Sequence, residues 1–223
     1  MMLLYEAAMD SVTARVEVLQ EEFQLLHDYN PIEHVKSRLK SPESILEKVT
    51  RKGMHLTVDG LMETIFDIAG VRLTCSFPND IYQVRDLLCS QDDLTILEEK
   101  DYIANPKPNG YKSLHLIIKV PVHLSVGSRM VPVEIQLRTI AMDFWASLEH
   151  KIHYKYHGEV PKHLTDAMKL ASDVAETLDT SMERIHQEVQ ELDNTSLPEA
   201  PEVFVEALLQ GAEDRHSTDN KYS

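Results

Sequence analysis

In residues 131–139, VPVEIQLRT, the odd positions Val131, Val133, Ile135 and Leu137 are apolar, and the even positions from Glu134 to Arg138 are polar. In an extended strand, successive side chains point to opposite faces of the sheet. One face would therefore carry only apolar residues, and the other would carry Glu134, Gln136 and Arg138. The segments GVRLTCSF at 70–77 and SLHLIIKV at 113–120 split in the same way. A polar face on one strand usually meets only solvent, but three such faces side by side can form a site.

Two segments with helical spacing of apolar residues flank these strands. Apolar residues recur at alternating intervals of four and three from Tyr5 to Leu26 and again from Leu164 to Leu192, which predicts two long helices. The first should end near Asn30–Pro31, and the second should begin after Pro161. The four-heptad stripe of the second helix is compatible with packing on its own domain and with pairing in an oligomer.

The central segment mixes strands with short helices. SPESILEKVTRKG reads as a helix with Ser41 as N-cap and Gly53 at its end; VDGLMETIF, PNDIYQVRDLLCS and IAMDFWASLEHKIHYKY also read as helices, and LTILEEKDY as a strand. The fold class predicted is α+β, with a mixed sheet of about five strands covered by helices. We predict an N-terminal helix at 1–29, a catalytic core at 30–157, a heptad-patterned oligomerisation helix at 158–194 and a mobile tail at 195–223.

Charge is unevenly distributed. The net charge of −15 argues against a protein that coats nucleic acid. From Gly158 onward, fifteen acidic residues face five basic ones, whereas Lys36–Lys52 holds six Lys or Arg and two Glu. This basic segment is either a solvated helix face or an anion site. Two cysteines without a CxxC pair argue against a disulfide framework, and the sequence shows no secretion signal or membrane span, so we expect a cytoplasmic protein.

Two carboxylates suggest a metal site. Asp67 lies just before the strand at 70–77, where it can meet Glu134 of a neighbouring strand, and such a pair typically holds Mg²⁺ together with phosphate oxygens. The sequence contains no glycine-rich phosphate loop, so side chains must bind phosphates instead. The candidates around the start of the short helix at 41–53 are Arg38, Lys40, Ser44 and Lys48.

The segments RLKSPESILEK, DIAGVRL, KPNGYKSLH and VEIQLRT together resemble the synthetase domain of the RelA/SpoT family, and among its members the single-domain small alarmone synthetases. The resemblance covers roughly residues 30–156. It implies a fold related to nucleotidyltransferases. It also implies transfer of the β,γ-pyrophosphoryl group of ATP to the ribose 3′-hydroxyl of GTP or GDP, giving AMP and pppGpp or ppGpp.

The resemblance also implies roles for individual residues. Asp67 and Glu134 correspond to the Mg²⁺ pair, and Glu134 is also the candidate base for the 3′-hydroxyl. The residues matching the family's ATP contacts are Arg38, Lys40, Ser44, Lys48 and Arg72. Those matching its GTP or GDP contacts are Lys107, Asn109, Tyr111, Lys112, His115, Gln136 and Arg138, with the Tyr111 ring stacked on guanine. A homo-oligomer, with a tetramer favoured, is implied as well.

Other interpretations remain open at this point. A toxin-like relative would place pyrophosphate on the 3′ end of tRNA, but it would need a basic docking surface; a local RNA site is not excluded. A catalytically silent nucleotide sensor would not need both Asp67 and Glu134. The dipeptide His27–Asp28 is expected to be helix surface rather than a hydrolase site. A zinc site built from His115, His150, His153, His157 and Asp143 is disfavoured.

Overall fold

The computed structural model describes residues 1–27, 29–53, 57–125, 127–155 and 160–196. The helices within these ranges are α1 (Met2–Leu26), α2 (Pro42–Lys52), α3 (Val58–Thr64), α4 (Pro78–Cys89), α5 (Ile140–Lys155) and α6 (Lys162–Ser196). The strands are β1 (Ile32–Leu39), β2 (Ala69–Cys75), β3 (Thr95–Asp101), β4 (Leu114–Leu124) and β5 (Gly127–Thr139). The α+β class predicted from the sequence is confirmed.

The five strands form one mixed sheet in the order β1-β2-β5-β4-β3. β2 and β5 pair in parallel, and the other neighbours are antiparallel. β1 was not anticipated as a strand, because most of its side chains are polar or charged and exposed. As an edge strand it needs only its backbone pairing with β2, which an apolar pattern does not reveal.

One face of the sheet packs into the core. Val71 and Leu73 of β2 and Ile135 and Leu137 of β5 are at most 1% exposed. They share one apolar cluster with α1 and α4, to which those helices contribute Tyr5, Val12, Val16, Ile81, Val84 and Leu88. Burial of these side chains fixes the register, because a slip of one residue would turn the apolar face outward. The opposite face is left for Arg72, Glu134 and Gln136.

Local signals set the ends of two helices. Ser41 caps α2 by accepting a hydrogen bond from the Ser44 amide, and Gly53 ends it with a left-handed φ of 63°, as predicted. α1 ends at Leu26, earlier than the predicted end near Asn30, because His27 adopts an extended backbone. The dipeptide His27–Asp28 was predicted to lie on this helix; His27 follows the helix end, and Asp28 lies outside the described residues.

α6 has an unusual distribution of apolar residues. Residues Met1–Glu183 form one compact unit, and α6 continues into the second unit, Arg184–Ser223. In the first unit, the apolar stripe of α6 is largely exposed, with Leu178 at 55% and Met182 at 47%, whereas Ser172 and Asp179 are buried. In the second unit, Ile185, Val189 and Leu192 are also exposed. The predicted mobile tail lies outside the described residues from position 197 onward.

None of the helices within the described ranges is long and apolar enough to cross a membrane.

Candidate active site

The strand register aligns the polar residues in two rows across the sheet. In the first row, Lys36 pairs with Arg72, Arg72 with Gln136, and Gln136 with His115. In the second row, Arg38 pairs with Gly70, and Gly70 with Glu134. Because paired residues point to the same face, cations of β1 and β2 lie beside a carboxylate of β5. The predicted face of β5 therefore does form part of a site.

These rows form the floor of a pocket of about 620 Å³. Its lining residues are Lys36, Ser37, Arg38, Lys40, Asp67, Gly70, Val71, Arg72, Glu134 and Gln136. Gly70 has no side chain on the row between Arg38 and Glu134, which leaves the pocket open there. Asp67 and Glu134 therefore share one pocket, as the sequence predicted from their positions near neighbouring strands.

Asp67 is held by two lysines. Lys40 Nζ lies 2.6 Å from Asp67 Oδ2, and Lys48 Nζ lies 2.7 Å from both carboxylate oxygens. Burial alone raises the pKa of Asp67, but hydrogen bonds and charge from the two lysines outweigh it and lower the pKa. The carboxylate is thus ionised, and two candidate phosphate-binding ammonium groups are gathered at one point.

Glu134 is oriented by its neighbours. His115 Nδ1 lies 3.2 Å from Glu134 Oε1, and Gln136 Nε2 donates to Glu134 Oε2 at 3.0 Å. Burial alone raises the pKa of Glu134, but the contacts with His115 and Gln136 lower it overall; the negative charge of Asp67 acts weakly in the opposite direction. Both carboxylates line the same pocket, so their charges interact.

Asp143 joins two arginines and was missed by sequence reasoning, which considered it only as a zinc ligand. Its Oδ1 accepts from Arg72 Nη1 at 3.2 Å and from Arg138 Nη1 at 3.1 Å. Gln136 Oε1 also accepts from both guanidiniums, at 3.4 and 3.2 Å. Burial, and secondarily the charge of Arg138, lowers the pKa of Arg72. The signal available in the sequence was an acid in the first turn of the helix that directly follows β5.

An aromatic and cationic cluster lies beside the pocket. The hydroxyl of Tyr111 is 2.8 Å from His115 Nε2 and accepts from Arg138 Nη2 at 2.6 Å. Lys107 Nζ lies 4.5 Å from the ring centroid of Tyr102 and 4.7 Å from that of Tyr111. Tyr102, which sequence reasoning also missed, meets His115 edge-on at 5.3 Å. His115 thus contacts both Glu134 and Tyr111, and it joins the cluster to the pocket.

The turn before Tyr111 is tightly held. Gly110 N donates to Lys107 O at 2.8 Å, and Asn109 Oδ1 accepts from the Tyr111 amide at 3.2 Å. Asn109 also donates to Glu149 Oε1 of α5 at 3.2 Å. These bonds fix the backbone that presents Tyr111.

Two other predicted contacts are placed differently. Lys112 is 5% exposed, and its ammonium lies 2.6 Å from Glu176 of α6, so in this structure it is committed to the helix rather than to the pocket. Ser44 contributes to the start of α2, where its hydroxyl accepts from Ser41 Oγ at 3.1 Å. Arg38 lines the pocket and is exposed. The remaining predicted residues fall in the pocket, in contact with Asp67, or in the aromatic cluster.

The carboxylate pair suits Mg²⁺, which takes oxygen ligands and commonly binds through one or two carboxylates plus substrate phosphates. Within the described ranges, no group of three or more His, Cys, Asp or Glu residues could hold a metal. Two members of the disfavoured zinc site, His157 and the side chain of His153, lie outside the described residues. Asp143, however, is occupied by Arg72 and Arg138.

A two-carboxylate pocket ringed by cations on a mixed α+β sheet defines a protein class that binds polyphosphates. The model of the region found in RelA/SpoT proteins matches residues 37–159. GTP pyrophosphokinase YwaC of Bacillus subtilis is 53% identical over 188 residues, covering 84% of this chain and 90% of that protein. This chain belongs to the RelA/SpoT family.

Solved structures agree. Small alarmone synthetase 2 from Bacillus subtilis matches with a TM-score of 0.76 and 51% identity, covering 83% of this chain and 97% of that one. Small alarmone synthetase 1 from the same organism, bound to its product pppGpp, matches with a TM-score of 0.77 and 38% identity, covering 84% and 95%. The resemblance drawn from the four sequence motifs is confirmed, and the comparisons give no support to the tRNA-modifying alternative.

Proposed function

We propose that this protein transfers the β,γ-pyrophosphoryl group of ATP to the ribose 3′-hydroxyl of GTP or GDP, giving AMP and pppGpp or ppGpp. The observation that carries the proposal is a contact chain from the pocket to the aromatic cluster, in which His115 touches Glu134 on one side and Tyr111 on the other. The ionised carboxylate of Glu134 thus lines the pocket for phosphates and is linked through His115 to the aromatic ring for the base. Membership of the family, and relatives named as GTP pyrophosphokinases, support the same reaction.

ATP binds in the basic pocket. Lys36, Arg38 and Arg72 line it, and Lys40 and Lys48 stand at its carboxylate. In the absence of phosphates, the two lysines neutralise Asp67; with ATP present, they turn to the phosphate oxygens. Ser44, at the N-terminus of α2, adds a hydroxyl beside the positive end of the helix.

The acceptor nucleotide binds at the aromatic cluster. The Tyr111 ring stacks on guanine, and Lys107, Asn109 and His115 surround it. Arg138, anchored by Asp143, and Gln136 lie between the cluster and the pocket, where the acceptor's own phosphates add negative charge. The loop residues bind the base, and Gln136 and Arg138 of β5 bind the sugar and phosphates.

Asp67 and Glu134 would hold Mg²⁺, which would supply charge neutralisation on the transferring phosphates. Glu134 also accepts the proton of the 3′-hydroxyl. Its lowered pKa keeps it ionised and ready to accept a proton, and the contacts from His115 and Gln136 fix both of its oxygens. Since the transferred group needs alignment and charge neutralisation rather than covalent help from the protein, these positions account for most of the chemistry.

The test is a nucleotide separation. Purified protein is incubated with ATP and Mg²⁺ and with one acceptor at a time: GTP, GDP, GMP or deacylated tRNA. We expect AMP and a 3′-pyrophosphorylated guanosine nucleotide in equal amounts. Glu134→Gln should abolish synthesis with an unchanged circular dichroism spectrum. Product on tRNA alone, or near-normal turnover of the variant, would contradict the proposal.

We also propose that the chain is a cytoplasmic homotetramer. α5 and α6 border an apolar groove of about 1000 Å³, and Phe144, Leu170 and Val174 are each more than 60% exposed along it. An apolar surface of this kind is rarely left exposed in a monomer, and a second copy would bury it.

Light scattering after size exclusion tests the assembly. We expect four times the 25.5 kDa chain mass for the wild type and a smaller species for Phe144→Glu, because a carboxylate in the groove opposes burial. Lys162→Glu, which changes an 88% exposed side chain, is the control and should leave the mass unchanged. A wild-type monomer or dimer would refute the proposal.

A further inference from the structure

A row of polar side chains on α6 contacts the domain. Ser172, Glu176, Asp179 and Glu183 follow each other at intervals of four, three and four, so they lie on one face of the helix. This face differs from the exposed apolar stripe. Each member bonds to the domain beneath it, and the row therefore fixes the position of α6 by directed contacts.

The last two members of the row, Asp179 and Glu183, join α6 to the core. Thr139 Oγ1, at the end of β5, donates to Asp179 Oδ2 at 2.6 Å. The backbone amide of Asn79 donates to Glu183 Oε1 at 2.8 Å. Further toward the start of the helix, Trp145 Nε1 donates to the Met168 carbonyl at 2.9 Å.

The first two members of the row, Ser172 and Glu176, hold the loop on either side of Tyr111. Ser172 Oγ donates to the Gly110 carbonyl at 2.5 Å, and the Lys112 ammonium lies 2.6 Å from Glu176 Oε2. The first bond is buried, and the Lys112 side chain is only 6% exposed. Residues 110 and 112 are therefore tied to α6, while the ring between them contacts His115 and Arg138.

The approach is close enough to require glycine. Gly110 has a φ of +93°, and a Cβ there would come within 2.9 Å of Ser172 Cβ and 3.3 Å of Lys169 Cα. The loop backbone thus lies directly on the helix.

We propose that α6 holds the acceptor-binding loop in its binding conformation, and that Ser172 and Glu176 are positioning residues for the guanosine nucleotide, acting through Gly110 and Lys112. This rests on the proposed function for the identity of the ligand. A loop that is already ordered loses less entropy on binding, so affinity for the acceptor, and not for ATP, depends on these contacts. The role of Lys112 is then to hold the loop on α6 through its ion pair with Glu176.

The test compares Ser172→Ala with Asp173→Asn. The first removes the bond to Gly110. The second changes the next residue, whose side chain is 48% exposed and pairs only with Lys169 among the side-chain contacts described. We expect Ser172→Ala to raise the KM for GDP roughly fivefold to tenfold, with the KM for ATP changed less than about twofold. Asp173→Asn should change neither. Equal increases for both substrates, or none, would overturn the proposal.

A conservative pair guards against simple misfolding. Glu176→Gln keeps an oxygen that can accept from Lys112 and should retain most of the GDP affinity, whereas Glu176→Ala should lose it. If both variants lose GDP affinity to the same extent, the contact between Lys112 and Glu176 does not position the loop. Isothermal titration of GDP, in the presence of a non-hydrolysable ATP analogue, gives the same comparison without turnover.

Amide hydrogen exchange separates this proposal from the proposed function. Without any nucleotide, residues 105–113 should exchange several-fold faster in Ser172→Ala than in the wild type or Asp173→Asn. Unchanged exchange would refute the positioning role even if the enzyme makes alarmone. Faster exchange in a protein that makes no guanosine product would refute the proposed function and leave the helix–loop contact standing.

Discussion

Replacing Asp143 with asparagine should destabilise the fold measurably. Its carboxylate is 14% exposed and bonds to Arg138, which is 6% exposed, and to Arg72, which is 35% exposed. Removing one partner of a buried ion pair costs about 3–5 kcal/mol, because the other charge is left without compensation. Since Arg72 reaches solvent and asparagine keeps one acceptor, we expect the lower end, about 3 kcal/mol.

Thermal unfolding measures this effect. In a domain of this size, about 3 kcal/mol corresponds to a Tm lowered by roughly 6–12 °C. The matched control is Asp93→Asn, which removes an arginine-bound carboxylate with a side-chain exposure of 48%. An exposed pair contributes about 0–1 kcal/mol, so the Tm should fall by no more than ~4 °C. Equal losses in the two variants would refute the reasoning that burial makes Asp143 the stronger link.

Three further predictions concern the site and its surroundings. Tyr111→Ala should raise the KM for the guanosine substrate roughly tenfold and leave that for ATP nearly unchanged, because it removes the stacking ring; equal losses would contradict stacking. Gly70→Val should raise the KM for ATP at least ~10-fold with normal folding, since a Cβ there meets only ordinary contacts at 3.7 and 3.9 Å while the side chain enters the pocket; unchanged ATP kinetics would contradict the pocket assignment. Burial raises the pKa of Asp179 from 3.8 to about 6, so the unfolded chain ionises at a lower pH than the folded one. The resulting loss of stability develops between these two pKa values and is complete above the higher one. Asp179→Asn should therefore be more stable than wild type by up to about 3 kcal/mol at pH 8 and no more stable at pH 4, as urea denaturation at the two pH values would show.

The sequence predicts those parts of the site whose structure is determined by local pattern. Alternation along β5 places Glu134 and Gln136 opposite the buried Ile135 and Leu137, and the cap at Ser41 and the glycine at 53 delimit α2. Asp67 and Glu134 line one pocket because the loop that carries Asp67 leads directly into β2, which pairs with β5.

Contacts between distant segments were not predictable in this way. β1 is a polar edge strand whose pairing with β2 depends on backbone bonds, so its side chains carry no clear signal. The partner of Lys112 lies 64 positions later, on α6. The clearest pattern in that helix is its apolar stripe, and the polar row at Ser172 and Glu176 resembles an ordinary solvent-exposed face. Asp143 acquires its role only when β2 and β5 lie side by side.

The most direct measurement is a crystal structure with a non-hydrolysable ATP analogue, GDP and Mn²⁺, with the ion located by anomalous scattering. We predict one ion bound by oxygens of both Asp67 and Glu134 at about 2.0–2.2 Å, with Lys40 and Lys48 moved onto the phosphates and guanine against Tyr111. An ion that lacks one or both of these carboxylates as ligands, or guanine bound away from Tyr111, would contradict the account.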